Sequence, residues 1–421
     1  MSYKDSELGK IPQSWEVKKL IDISRVQNGY AFKSKNFSNK GNPVIKIKNV
    51  NGRFVDKSDC QLYPIEMCES LERFKIDNND VLIAMTGAGS VGRVSKFVNN
   101  SKKEYYLNQR VGKIIPKLDE LDNEYLYQII STPKYQGILY DLANGSGQPN
   151  LSPDTIGLVK IPCPPIDEQK AIAKILSDLD EKIGVNNKIN KKLEEMAQAI
   201  FKQWFVDFEF PNEYGKPYKS SGGEMVESEL GIIPKYWKNK ELKEVIKFTK
   251  GKKPKIITDK EFDNSKLYLT IDVLNRNSIQ YAINDKVILA NKNDILMVMD
   301  GASSGSLYYG LDGIVGSTLS KVVINDEYIN EDILYYFLKL NEINIKGNLT
   351  GSAIPHTDKE YVNRLIMCIP NDKELLVRAT KILSDIREKV IINNEENSRL
   401  IKLRDTLLPK LMSGEIRVPI D

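Results

Sequence analysis

Histidine and cysteine are scarce in this 421-residue chain, with one of the former and four of the latter. The cysteines stand at 60, 68, 163 and 368 without a CxxC pair, so a zinc cluster is not expected and the thiols read as reduced and structural. Long hydrophobic runs are missing too. No stretch of about 18 apolar residues exists, so no membrane-spanning helix is expected. The opening Met1-Ser2-Tyr3-Lys4-Asp5-Ser6 has no apolar signal core, which points to a cytoplasmic protein. Charge of one sign is not in excess: 61 Lys and Arg against 57 Asp and Glu leave +4. That is weak evidence for nucleic acid. If DNA is the partner, basic residues must be gathered on particular faces, or another subunit must supply charge. No Ser/His/Asp set, paired-acid motif, P-loop or methyltransferase-like signature is present, so no catalytic, metal or cofactor-binding residue is assigned.

What the chain does have is repetition. Lys174-Ile175-Leu176-Ser177-Asp178 returns as Lys381-Ile382-Leu383-Ser384-Asp385, at an offset of 207. Ser6-Glu7-Leu8-Gly9, Ile11-Pro12 and Trp15 return as Ser228-Glu229-Leu230-Gly231, Ile233-Pro234 and Trp237, at an offset of 222. At Asn79-Asp80-Val81-Leu82 and Asn293-Asp294-Ile295-Leu296 the offset is 214. Solenoid units run roughly 20–50 residues, so this is a duplicated domain-plus-helix unit. The second globular copy is shorter by 222 minus 207, or 15, residues, while the helical part keeps register. Loops tolerate insertion and packed seams do not.

The globular parts read as mixed α/β. Val44 to Lys48 alternates like a strand, and Val81 to Met85 reads as a buried one. Lys113 to Ile115 and Lys321 to Ile324 suggest further strands, and Asn123 to Ile130 and Asn330 to Leu340 short helices. A long helix starts after Pro164-Pro165, with Asp167 as its expected N-cap. Alternating spacings of four and three pick out Ile172, Leu176, Leu179, Ile183, Asn186, Asn190, Leu193, Ala197, Ile200 and Trp204. The second copy has Ala379, Leu383, Ile386, Val390, Asn393, Asn397, Leu400, Arg404, Leu407 and Leu411. This is a heptad seam carried twice. The alternative is two amphipathic helices lying on their own domains, but the matched asparagines favour pairing. A buried Asn fixes register because slippage leaves its amide unpaired. A helix of about 40 residues spans roughly 60 Å. The fold expected is α+β: two pseudo-symmetric mixed domains separated by two long antiparallel coiled-coil helices. The segments are 1–165, a helix over 166–208, a Pro/Gly/Ser linker over 209–227, 228–370, a helix over 371–414 and a tail over 415–421.

Gly87-Ala88-Gly89-Ser90-Val91-Gly92 fits the G-x-G-x-x-G pattern of dinucleotide sites. Such a site needs a helix directly after it and an acid about 20 residues on. Here Arg93 to Val98 alternates like a strand, and Asp300-Gly301-Ala302-Ser303-Ser304-Gly305-Ser306 loses the spacing. A hairpin loop, structural or phosphate-contacting, is expected. His356 lies in Gly351-Ser352-Ala353-Ile354-Pro355-His356, where the first copy, Gly145-Ser146-Gly147-Gln148-Pro149-Asn150, has Asn150. A catalytic base would recur, so His356 reads as a polar contact or surface residue.

The ordered set of motifs resembles the specificity subunit of type I DNA restriction–modification enzymes over nearly the whole chain. It comprises Leu230-Gly231-Ile232-Ile233-Pro234 with Trp237, and Asn79 to Leu82 followed by Gly87 to Ser90. It continues with Ile161-Pro162-Cys163-Pro164-Pro165-Ile166-Asp167-Glu168-Gln169-Lys170 and Trp204-Phe205-Val206-Asp207-Phe208, and ends with Thr406 to Ile416. One departure is Asn371 to Leu375, where the first copy has Pro165 to Gln169. The resemblance implies that each globular copy is a target recognition domain reading half of a bipartite double-stranded DNA site. It implies that the helices dock two modification subunits, which carry S-adenosylmethionine and methylate adenine. Restriction subunits that translocate and cleave DNA with ATP and Mg would join them. The chain itself would catalyse nothing. A type IIB-like specificity chain and a protein-only coiled-coil scaffold are the alternatives.

Base readers are expected on loops that differ between the copies. In the first these are Lys46, Lys48, Asn49, Arg53, the loop containing Gly87, Gly89, Ser90 and Arg93, and Asn108, Gln109 and Arg110. In the second they are Lys250, Lys252, Lys253, Lys255, Asn275, Arg276, Ser303, Ser304, Ser317 and Thr318. Arg suits guanine, and Asn or Gln suits adenine, by bidentate geometry.

Overall fold

A computed structural model describes residues 2–143, 149–276, 278–283 and 285–419. The Gly145–Gln148 part of the first Gly/Ser segment lies outside them. The chain divides into two compact units. The first holds Met1–Val185 and Glu396–Asp421, the second Asn186–Glu395.

In the first unit, a four-stranded antiparallel sheet runs in the order Ser24–Asn28, Val111–Pro116, Val81–Ala84, Val94–Lys96. Val81, Leu82, Ile83 and Ala84 are all buried, as a strand covered on both faces requires. A second sheet orders Gln61–Tyr63, Asn42–Ile45, Tyr105–Leu107 and Lys75–Ile76, its middle pair parallel. The strand expected over 44–48 stops at Ile45, because Ile47–Asn49 turns into a 3-10 helix whose Asn49 side chain accepts from the Lys46 amide at 2.9 Å. Asn123–Ile130 is helical, capped by Asp122.

The second unit repeats the first sheet with Ile246–Lys250, Leu319–Ile324, Ile295–Val298 and Leu307–Tyr309 in the same order. Its other sheet also pairs two strands in parallel, Ser265–Leu269 with Gly313–Val315. Glu331–Leu340 is the matching helix, capped by Asn330. The chain is therefore mixed α/β with a duplicated topology.

The long helices are Ile166–Phe205 and Lys373–Ser413. The first begins before Asp167, which falls within its first turn rather than capping it. The amides of Glu168 and Gln169 both donate to the Pro165 carbonyl, which moves the start back. The next two side chains lock the helix to its domain. Trp15 donates its indole N–H to buried Glu168 at 2.9 Å, and Arg417 donates to the same carboxylate. Gln169 donates to the carbonyls of Glu120 and Pro164 and accepts from the Asp122 amide. At the +207 positions of the second helix stand Leu375 and Leu376, both buried in the second unit's core, while Asp372 accepts from the Glu374 amide. The motif departure thus exchanges a polar junction for an apolar one.

Each helix contributes one half to each unit. Ile172, Ala173 and Leu176 join the first unit's core with Leu411 and Met412. Ala197, Phe201 and Phe205 join the second unit's core with Ala379 and Leu383. The two amphipathic-helix readings therefore hold together, since the same stripes lie on the globular domains. None of the twenty seam positions is exposed. In the first unit the helices run antiparallel, with Asp180 bonded to Arg404 at 2.9 Å and Lys182 paired with Glu396. In the second unit Asn393 donates to Asn190 at 2.7 Å, and Asn190 donates to Asn394 at 2.9 Å. The helix proper ends at Phe205, and Phe208 takes a positive φ of 59°. The following segment is packed: Phe210 stacks on both Tyr218 and Trp237. No helix among the described residues is long and apolar enough to cross a membrane.

Candidate nucleic-acid interface

A side chain that reads a base needs a polar head not already spent inside the protein. That condition separates the candidate residues. Asn49 is 2 % exposed, and its amide is used within its own loop, accepting from Lys46 and donating to the Asp56 and Asp59 carbonyls. It holds the loop rather than facing outward. Ser304 is equally buried and donates to the carbonyls of Gly301 and Pro355.

Arg53 and Arg276 each reach a long helix. Arg53 pairs with Asp180 of the first long helix and donates to Gln128 at 3.1 Å. Arg276, in a left-handed backbone conformation at φ 62°, donates to the Asn394 carbonyl of the second at 3.0 Å. Both tie a loop of the globular part to its helix. Both guanidinium groups thus have partners within their own units. Lys46 lies over the Phe37 ring at 4.1 Å and donates to Gln61, while exposed Lys48 pairs with Asp59.

The glycine-rich loop is a hairpin. Val81–Ala84 pairs antiparallel with Val94–Lys96, so no helix follows the glycines and no dinucleotide cradle forms. Gly87 takes φ 102°, a conformation that favours glycine, and its carbonyl accepts from the amides of Ser90 and Val91. Gly92 sits where a Cβ would lie 3.1 Å from the Gln136 carbonyl, so the loop packs on the helix Pro133–Ala143. Gly89 is exposed at the tip, and Arg93 donates to Asn51 at 3.3 Å. In the second copy Gly301 repeats the turn at φ 105°, and Ser303 is half-buried. Lys252, Lys253 and Lys255 are exposed on the segment between Ile246–Lys250 and Ile257–Thr258, and Asn275 is exposed at the end of the helix Ile271–Leu274.

Asn108, Gln109 and Arg110 belong to a better-defined place. They form the turn between Tyr105–Leu107 and Val111–Pro116, and Gln109 and Arg110 are exposed. A cleft of about 550 Å³ opens beside them, with Asn28, Thr86, Asn150 and Ser152 among its polar lining. Backbone bonds build it. The Met85 amide donates to the Arg110 carbonyl at 3.0 Å, the Leu151 amide donates to Met85 at 2.7 Å, and Thr86 bridges Asn150. Gly29 approaches so closely that a Cβ would lie 2.3 Å from the Leu107 and Asn108 carbonyl oxygens.

The second unit has the same scaffold. The Met299 amide donates to the Thr318 carbonyl at 2.8 Å, the Thr357 amide donates to Met299 at 2.8 Å, and Asp300 bridges His356. Gly251 stands where a Cβ would be 2.1 Å from the Gly316 carbonyl oxygen. These bonds align Asn28 with Lys250, Thr86 with Asp300, Gln109 with Ser317, Arg110 with Thr318, and Asn150 with His356. Asp300 accepts from Lys250 at 3.0 Å and lies 2.8 Å from the His356 Nδ1. Partial burial would raise the Asp300 carboxyl, but these two partners outweigh it and hold it below the usual carboxylate range. Asn28, Thr86 and the helix-capping Ser152 are neutral lining groups that carry no basic signal in the sequence; their place beside these backbone bonds reveals them.

Residues 12–195 and 234–402 match the family model described as the type I restriction modification DNA specificity domain. The type I restriction enzyme MjaIX specificity subunit of Methanocaldococcus jannaschii is 28% identical, over 99% of this chain and 96% of that protein. The HindI specificity subunit of Haemophilus influenzae is 22% identical, over 96% of this chain and 99% of that one. Among solved structures, the type I restriction–modification S subunit from M. genitalium shares the fold with a TM-score of 0.60 at 17% identity, covering 96% of both chains. Two family-model matches, one on each copy of a duplicated fold, place the chain: it belongs to the family of type I restriction–modification DNA specificity subunits.

Proposed function

We infer that this protein is the non-catalytic specificity subunit of a type I restriction–modification complex, recognising a bipartite double-stranded DNA site with one half read by each unit. The observation that carries this reading is the pair of equivalent loop frames, one in each unit. They share a strand order and backbone bonding pattern but differ in side chains. A scaffold kept twice while its lining changes suits two different half-sites on one continuous duplex.

The chain would bring two modification subunits to the site, and restriction subunits would join the full complex. S-adenosylmethionine for adenine methylation, and ATP and Mg for translocation and cleavage, would be held by those partners. The modest +4 charge fits a subunit that shares the phosphate contacts with them. A target adenine has to leave the base stack before it is methylated, a task for the modification subunit. Salt-dependent binding of the chain plus its modification subunit to duplex DNA tests the reading, with affinity expected to fall steeply as salt rises. Binding that ignores salt, or no DNA binding by an intact complex, would favour a protein-only scaffold.

A further inference from the structure

We propose that the half-site code is written at the matched positions of this frame: Gln109, Arg110 and Asn150 in the first unit, and Ser317, Thr318 and His356 in the second. The proposal rests on the bipartite reading above and goes further by naming the readers and the base class each takes.

Three observations carry it. First, the positions are equivalent by backbone bonding rather than by sequence alignment. The same amide-to-carbonyl bonds, Met85 to Arg110 and Met299 to Thr318, fix the turn in both units. Second, the residues forming the framework are alike while those lining it are not. Gly29 and Gly251 are both held to glycine by a close carbonyl, yet the polar pairs Asn28/Lys250, Thr86/Asp300, Gln109/Ser317, Arg110/Thr318 and Asn150/His356 all differ. Third, the heads of Gln109 and Arg110 are exposed, and no hydrogen bond or ion pair among the described residues occupies them, in contrast to Arg53 and Arg276.

The chemistry then assigns bases. A guanidinium fork fits the O6 and N7 acceptors of guanine, and a carboxamide fits the N6 donor and N7 acceptor of adenine. Arg110 thus reads a guanine and Gln109 an adenine in one half-site. The second unit offers a hydroxyl and methyl at Thr318, a hydroxyl at Ser317 and an imidazole at His356. Its reach is shorter, and the Thr318 methyl suits the thymine methyl. The two half-sites therefore differ in sequence, because the two linings present different donors, acceptors and apolar groups on one backbone frame.

The test is methylome sequencing of a methylation-free host carrying the chain and its modification subunit. A wild-type motif that is bipartite establishes the underlying reading by itself. Arg110→Ala is then expected to relax one G·C position in one half-site by about tenfold or more, with the other half-site and the gap unchanged. Thr318→Ala is expected to relax the other half-site only. Arg110→Lys keeps the charge but loses the fork, so it should relax the same position as Arg110→Ala. An unchanged motif in Arg110→Ala, or full rescue by Arg110→Lys, would make Arg110 a phosphate or surface residue and overturn the proposal while leaving the bipartite reading intact. If Arg110→Ala abolishes methylation, selection of bound duplexes from a randomised half-site library by the purified complex gives the same readout. Uniform weakening across all sequences would then count against it.

Discussion

Asp180 is 8 % exposed and holds two guanidinium groups, Arg53 from the first globular part and Arg404 from the far end of the second long helix. Asp180→Ala would leave Arg53 without its counter-charge and Arg404 with only the exposed Asp405, at a cost of about 3 kcal/mol. The exposed pair Lys174–Asp178 is the control, and Asp178→Ala should cost less than about 0.5 kcal/mol. Urea unfolding of both variants measures the difference. The basic loop residue Arg53 resembled a DNA contact because a lone arginine carries no mark of its partner, which here stands 127 positions away. Asn49 misled for the same reason. Its amide looked available, and only the folded loop shows where its bonds go. The cysteines were more legible. Burial pushes the Cys368 thiol up to about 12, so it stays protonated at neutral pH. Thiol labelling of the folded chain at pH 8, read by mass spectrometry, should leave Cys368 unmodified until denaturant is added, with half-buried Cys60 reacting first.

At the scale of elements, the two long helices were readable from spacing alone, since period and polar interruptions both survive in a linear sequence. The Asn190–Asn393 bond gives the interruption its physical meaning. Asn190→Ala strands the Asn393 amide in a buried seam and should destabilise by about 1–3 kcal/mol. Replacing both by Leu should recover that loss or exceed it, because two satisfied apolar groups replace a polar pair. A double variant that stays as unstable as the single one would contradict this account. The +207 counterpart of Asp180 is Arg387, which lies 2.8 Å from Asp332. An acid on the helix in the first unit is thus matched by a base on the helix in the second. Periodicity could not reveal that inversion, because it depends on which loop or helix of the globular part meets the seam. The first helix starts at residue 166 as expected, but its cap is not the expected one: Asp167 has capping chemistry, whereas the carbonyl of Pro165 takes the first amides.

For the whole molecule, duplication was the dominant signal in the sequence, and the repeated strand order is its structural form. What the linear repeat did not yield as a set was the pairing of frame positions, whose offsets differ: 222 for Asn28 and Lys250, 208 for Arg110 and Thr318, 206 for Asn150 and His356. The Gly/Ser segments already match Asn150 with His356, and shared backbone bonds align the rest. Both long helices pass along the chain from one unit into the other. Adding one heptad to each at matched positions, about 10 Å of rise, should widen the gap between half-sites by about 3 base pairs and leave both half-sites unchanged. The most direct test of the central claim is long-read methylome sequencing of a methylation-free host expressing this chain with its cognate modification subunit. The account predicts one adenine-methylated motif in two parts of different sequence separated by a fixed non-specific gap. A continuous motif, or no methylation despite a soluble assembled complex, would contradict it.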